Sequence, residues 1–167
     1  MPVETVPSSV TLAKDFLTLQ EERVRQYRLL SDAHKTYLAS APDYNLEPYK
    51  LCVSDVTKSF KQLSERIIQM RKMFEDEFQD PEMSHLVGKI QGLEETKLKF
   101  TVDHQIALQQ VRDMPGDELV ERNAQGLKKQ LDVIIADIND TLEEVRYHVH
   151  DLQGDDDSQE EEEEGSR

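Results

Sequence analysis

The chain has 167 residues, 33% charged and 37% hydrophobic, with no Trp, one Cys and a formal net charge of −15. That length suits one domain with a sizeable core; the acidity argues against a broad phosphate-binding surface, and a single cysteine excludes an internal disulfide framework. The start, Met1-Pro2-Val3-Glu4, has neither the basic stretch nor the apolar run of a signal peptide, and no segment approaches the ~18 consecutive apolar residues of a membrane span, so a soluble intracellular protein, nuclear or cytoplasmic, is expected.

Residues 1–8 contain two prolines and no periodicity and read as a flexible arm. A helical pattern then covers about 9–40, with Phe16, Leu17, Val24, Tyr27, Leu30, Tyr37 and Leu38 near one face and Gln20 and His34 on the intervening turns. Pro42 interrupts it, because proline removes a donor and restrains the residue before it. The second helix, about 46–79, is predicted to start with Asn45 as cap and Pro48 in its first turn. It carries the clearest signal in the chain: Tyr49, Val53, Val56, Phe60, Leu63, Ile67, Met70 and Phe74 alternate at three- and four-residue steps, the seam of helices lying along one another.

Asp80-Pro81 is a cap followed by a first-turn proline and restarts the chain as a third helix, about 81–112. Leu86, Ile90, Leu93, Phe100 and Val111 mark one edge of its buried side, widened by Val87, Leu98, Val102 and Leu108. After Met114-Pro115-Gly116, Asp117 caps a fourth helix, about 117–152, striped by Ala124, Leu127, Leu131, Ile134, Ile138, Leu142, Val145, Val149 and Leu152. Four helices of about 30 residues with short breaks predict an all-α fold, an antiparallel four-helix bundle of long, coiled-coil-like helices over 9–152. Such a bundle can bury its four stripes against one another, so a monomer is expected rather than a homodimer.

Residues 153–167 hold eight acidic groups and one Arg, leaving −8 of the net charge to the body. This run is predicted to be a disordered acidic tail, either for solubility or as an arm for basic partners. Ser158, with acids on both sides, is a candidate site for an acidophilic kinase.

Chemistry-bearing constellations are sparse. A carboxylate-bridged metal pair in a bundle needs two Glu-x-x-His units; Glu82-Met83-Ser84-His85 supplies one, and His148 and His150 diverge on a helix. No phosphate-cradling glycine loop or Gly-x-Ser-x-Gly elbow occurs, and Cys52 beside Val53 reads as an inert, half-buried thiol. No catalytic residue, metal or cofactor is expected, and direct nucleic-acid binding is disfavoured by the charge. Gly88 and Gly92, one turn apart, suggest close approach of a neighbouring helix or tolerated surface positions. Glu94, one turn from both Ile90 and Leu98, lies at the margin of the buried stripe and is predicted to pair across helices with Arg23 or Arg28.

Three stretches together resemble a known family: Leu19-Gln20-Glu21-Glu22-Arg23 through Tyr27-Arg28, His34-Lys35-Thr36-Tyr37-Leu38-Ala39-Ser40-Ala41-Pro42-Asp43-Tyr44 leading to Tyr49, and Val53-Ser54-Asp55-Val56-Thr57-Lys58-Ser59-Phe60. Leu93-Glu94-Glu95-Thr96-Lys97-Leu98 follows at the expected distance. This combination is similar to the Required for excision 1-B domain family, and the resemblance covers about residues 12–149. It implies a role in excision repair of DNA without a known catalytic motif, and excision-repair proteins as partners. The expectation is a non-catalytic accessory or adaptor working through protein contacts; the alternative is a structural coiled-coil subunit of a cytoskeletal or ciliary assembly. Arg23, Arg28, His34, Tyr37 and Tyr44, polar or aromatic groups of the first helix and the turn after it, are the partner-docking candidates. For His34 and Tyr44, local closure of the loop onto the bundle, with hydroxyl and imidazole hydrogen-bonded locally, is the favoured reading over docking.

Overall fold

In the computed structural model, residues 8–165 are described, with side chains from Ser8 to Asp155. They form four helices: α1 (Ser9–Ala39), α2 (Leu46–Asp76), α3 (Pro81–Asp113) and α4 (Glu118–Gly165). Among the described residues there is no strand, and no helix is long and apolar enough to cross a membrane.

The boundaries follow local chemistry. Ser8, expected in the arm, instead caps α1 by accepting from the Thr11 N–H at 3.1 Å; residues 1–7 lie outside the described residues. Asn45 occupies the N-cap of α2 but makes no side-chain cap bond; its N–H donates to Ser40 Oγ at 2.9 Å, which ties the turn to the end of α1. The Ala41–Pro42 bond in that turn is cis. Asp80 caps α3 through the Met83 N–H at 3.0 Å, and Asp117 caps α4 through the Leu119 N–H at 3.0 Å. Gly116 precedes it with φ +83°, a conformation glycine adopts without steric cost.

The core has two apolar clusters. Leu12, Ala13 and Phe16 of α1 meet Ile67, Met70 and Phe74 of α2, Met83, Leu86, Val87 and Ile90 of α3, and Val145 and Val149 of α4. Early residues of α1 and α3 thus converge with late residues of α2 and α4. A second cluster, Leu30 with Val56, Phe60 and Leu63, joins only α1 and α2. The backbones of α2 and α4 do not approach each other, whereas α1 also meets α3, so the bundle is drawn in along one diagonal.

From Val56 to Phe74 every member of the α2 seam is buried, and Tyr49 and Val53 are partly so. The later half of α3 departs from expectation: Leu98, Val102 and Ile106 are exposed, while Glu94, Gln105 and Ala107 point inward. Polar partners on α1 and α2 draw Glu94 and Gln105 in. The larger departure is α4, which continues past Gly154 to Gly165 instead of ending in a disordered tail. A helix already nucleated by packing propagates readily, glutamate is a good helix former, and one glycine costs only about 1 kcal/mol. The side chain of Ser158 lies outside the described residues.

Candidate functional site

Between the two apolar clusters lies a buried polar layer. Gln20 and Arg23 stand one turn apart on α1 and are 4% and 3% exposed; periodicity turned Gln20 inward but gave no sign of Arg23. The Arg23 guanidinium donates to Gln20 Oε1 at 2.7 Å, to Gln91 Oε1 on α3 at 2.6 Å and to Ser64 Oγ on α2 at 3.5 Å. Gln20 Nε2 in turn donates to Glu94 Oε1 at 3.2 Å. Arg23 and Glu94 therefore share one network but form no direct ion pair, contrary to expectation. The amide of Gln20 stands between them, because its donor and acceptor ends satisfy the carboxylate and the guanidinium together. Burial lowers the pKa of Arg23, with Glu94 opposing the shift.

Glu94 is 6% exposed and its Oε2 has no hydrogen-bond partner. It lies at the base of a groove of about 480 Å³ between α2 and α3, lined also by Tyr27, Phe60, Ile68, Arg71 and Leu98. Tyr27 and Phe60 pack at 4.7 Å between ring centroids, and Lys97 Nζ sits 3.9 Å above the Tyr27 ring. Burial, and next the charge of Glu94, raises the Tyr27 phenol pKa; burial lowers that of Lys97. Gly88 and Gly92 form the α3 side of the groove. No helix presses on Gly92, where an added Cβ would meet nothing within 4 Å, and at Gly88 it would meet the Arg71 guanidinium at 2.6 Å.

The turn between α1 and α2 carries a second constellation. Tyr37 stacks on Tyr49 at 5.1 Å and 15°, with Tyr44 4.8 Å from Tyr37 and His34 5.4 Å from Tyr49. Tyr49 Oη donates to Gln105 Oε1 at 2.5 Å, and Tyr44 Oη donates to Asp113 Oδ1, so both phenols fasten α3 to this corner. The bond to Asp113 pushes the Tyr44 phenol up to about 12. Burial pushes Tyr49 upward and His34 downward.

This geometry brings His34, Tyr37 and Tyr44 together, as the sequence suggested, but spends them on closing the hairpin. His34 and Tyr37 are buried, as is Arg23, and only Arg28 is fully on the surface, with Tyr44 partly so. The docking candidates Arg23, His34 and Tyr37 are thus internal fasteners, Arg23 held by its hydrogen bonds and the two rings by aromatic packing.

A third polar site was missed in the sequence. His148 of α4 places Nε2 2.7 Å from Asp80 Oδ2 and Nδ1 3.2 Å from Glu82 Oε2, and Ser9 Oγ donates to the same Asp80 oxygen at 3.4 Å. The Asp80 cap was legible from Asp80-Pro81; its partner 68 residues away carried no local signal. Among the described residues no group of three or more His, Cys, Asp or Glu is placed to hold a metal ion. Cys52 is partly buried, its Sγ 3.6 Å from the Leu29 carbonyl, and burial raises its pKa, which keeps it a thiol.

Comparison with known proteins matches residues 11–108 to the family model described as DNA repair REX1-B. That span contains nearly all of α1, the whole of α2, the four rings of the tyrosine corner, the polar layer and both walls of the groove. The "Required for excision 1-B domain-containing protein" of Mus musculus is 29% identical over 138 residues, covering 82% of this chain and 79% of the relative. The protein of the same name from Bos taurus is 28% identical over 131 residues, covering 77% and 70%. The chain belongs to the DNA repair REX1-B family.

Proposed function

We propose that the protein is a non-catalytic accessory factor in DNA excision repair that works through protein contacts. Family membership and the relatives' name, "required for excision", support the repair part. The observation that carries the contact part is a row on α3: Leu98, Val102 and Ile106, at four-residue intervals, are 36%, 45% and 54% exposed. Residues at that spacing share a helix face, and a continuous apolar row in water is the usual mark of a surface that meets a partner. The inward polar groups support the same reading, because Arg23, Tyr49 and His148 are engaged in fastening one helix to another.

The test is complementation of cells lacking the protein with the wild type or with Val102→Lys/Ile106→Lys, which places charges on the row without entering the core. Loss of the protein should sensitise cells to ultraviolet damage, and the folded double variant should fail to restore survival and no longer co-purify with excision-repair proteins. Unchanged sensitivity on loss, or full rescue by the variant, rejects the reading. Co-sedimentation with a filamentous assembly would instead favour a structural subunit.

A further inference from the structure

We infer that the groove between α2 and α3 receives an aromatic side chain of a partner protein, a tyrosine or tryptophan whose ring carries a hydrogen-bond donor directed at Glu94. This deepens the protein-contact reading and rests on it for the class of partner. The groove volume, about 480 Å³, lies within the ~300–1,000 Å³ typical of sites that enclose a small group. Its walls are the rings of Tyr27 and Phe60 and the aliphatic side chains of Ile68 and Leu98. The α3 wall is bare at Gly92, where nothing lies within 4 Å of an added Cβ. Leu98 also begins the exposed row on α3, so the groove continues the surface already assigned to a partner.

The base of the groove sets the chemistry of the guest. Glu94 Oε2 is a buried acceptor without a partner, and such a group calls for a donor. A cationic guest is disfavoured, because the groove's charges already balance, Arg23 and Arg71 against Glu94 and Glu95, and Lys97 stands beside Glu94. A neutral donor on an apolar frame fits both the walls and the acceptor, which is the chemistry of a phenol O–H or an indole N–H. Rings of this kind are the common anchors of protein interfaces. The oxygen is sealed from solvent in the empty groove, so the side chains around it must shift locally to admit a donor. Arg71 lies over Gly88 with an exposed side chain and no hydrogen bond or ion pair within the described residues. Its guanidinium is placed to take a carboxylate flanking the anchor in the partner.

The test uses the isotopically labelled full chain, followed by nuclear magnetic resonance at the amides of Gly88, Gly92 and Leu98. The probes are N-acetyl-tyrosinamide, N-acetyl-tryptophanamide and, as a ring without a donor, N-acetyl-phenylalaninamide. The first two should give saturable shifts at these amides and bind about tenfold more tightly than the third, the effect of one hydrogen bond to a charged acceptor. Gly92→Leu, which fills open space, should abolish binding of all three, and Glu94→Met should level their affinities. Equal affinities on the wild type, undiminished binding to Gly92→Leu, or no binding at these amides overturns the inference. Should Glu94→Met fail to fold, the wild-type comparison and Gly92→Leu decide it alone. These readouts need no repair pathway, so failure of the repair reading leaves them intact, and their failure leaves the exposed row on α3 still to be judged by complementation.

Discussion

Arg23→Met is the most informative single change in the polar layer. It retains an unbranched apolar stem but removes the donors that satisfy Gln20 at 2.7 Å, Gln91 at 2.6 Å and Ser64 at 3.5 Å. Two amide oxygens are then left short of donors, and the buried Glu94 carboxylate loses one of its two neighbouring positive charges, Lys97 remaining. Breaking a buried charged network from one side costs about 3–5 kcal/mol, which for a domain of this size corresponds to roughly 10 °C in the thermal midpoint. Glu94→Met is the unequal counterpart. It gives up one bond, from Gln20 Nε2 at 3.2 Å, and also removes the orphaned Oε2, so its cost should be about 1–2 kcal/mol. With both charges gone, the double variant should cost less than the sum of the singles, with a coupling of about 2 kcal/mol. Urea unfolding at neutral pH, read by circular dichroism with the slope checked for constancy, gives all three values. Strictly additive singles, or a cost for Glu94→Met equal to that of Arg23→Met, would refute the network as the physical basis.

Two further predictions follow from glycines and histidines. Gly92→Ala should stabilise the protein by about 1 kcal/mol through helix propensity, with Gly88→Ala gaining less because its Cβ must displace the Arg71 guanidinium at 2.6 Å; paired thermal melts compare them, and an equal or larger gain at Gly88 contradicts the geometry. His34 and His104 both have pKa values lowered chiefly by burial, and for His104 by Lys128 next. Their folded state therefore binds protons less readily than the unfolded state. The stability they contribute is present above the ordinary histidine value of 6.5 and is lost as pH falls through the lower folded values. Unfolding midpoints should drop on acidification below about 6.5, and less steeply in His34→Gln/His104→Gln; identical slopes for variant and wild type would exclude these histidines as the cause.

The parts of the fold written in local code were readable. The α2 stripe from Tyr49 to Phe74 places one side chain per turn on the same face, and that face forms the seam. Asp80-Pro81 and Asp117 announced helix starts through cap chemistry that depends only on neighbours a few residues away. The second half of α3 was misread because periodicity follows apolar side chains, and here the inward positions belong to Glu94 and Gln105 while Leu98 and Val102 face out. That inversion is legible only when Gln20, Arg23 and Tyr49, far away in sequence, are placed opposite. The same reason hid the hydrogen bond between His148 and Asp80 and the role of Gln91. Local reasoning did bring Arg23 and Glu94 into one neighbourhood, but it had no means of finding the amide of Gln20 between them. In the tyrosine corner, the sequence offered both closure of the loop and a docking surface; the bonds from Tyr44 and Tyr49 into α3 favour closure.

The polar layer has a consequence for topology as well as strength. Apolar seams tolerate sliding, since one leucine-like side chain replaces another after a turn. A guanidinium that must find Gln20 on its own helix, Ser64 on α2 and Gln91 on α3 admits one alignment. Shifting either partner helix by about 5.4 Å, one turn, would leave Arg23 in an apolar layer with its donors unmet. The layer thus acts as an index mark between two otherwise forgiving clusters, excluding slipped and swapped pairings that the heptad of α2 alone would permit.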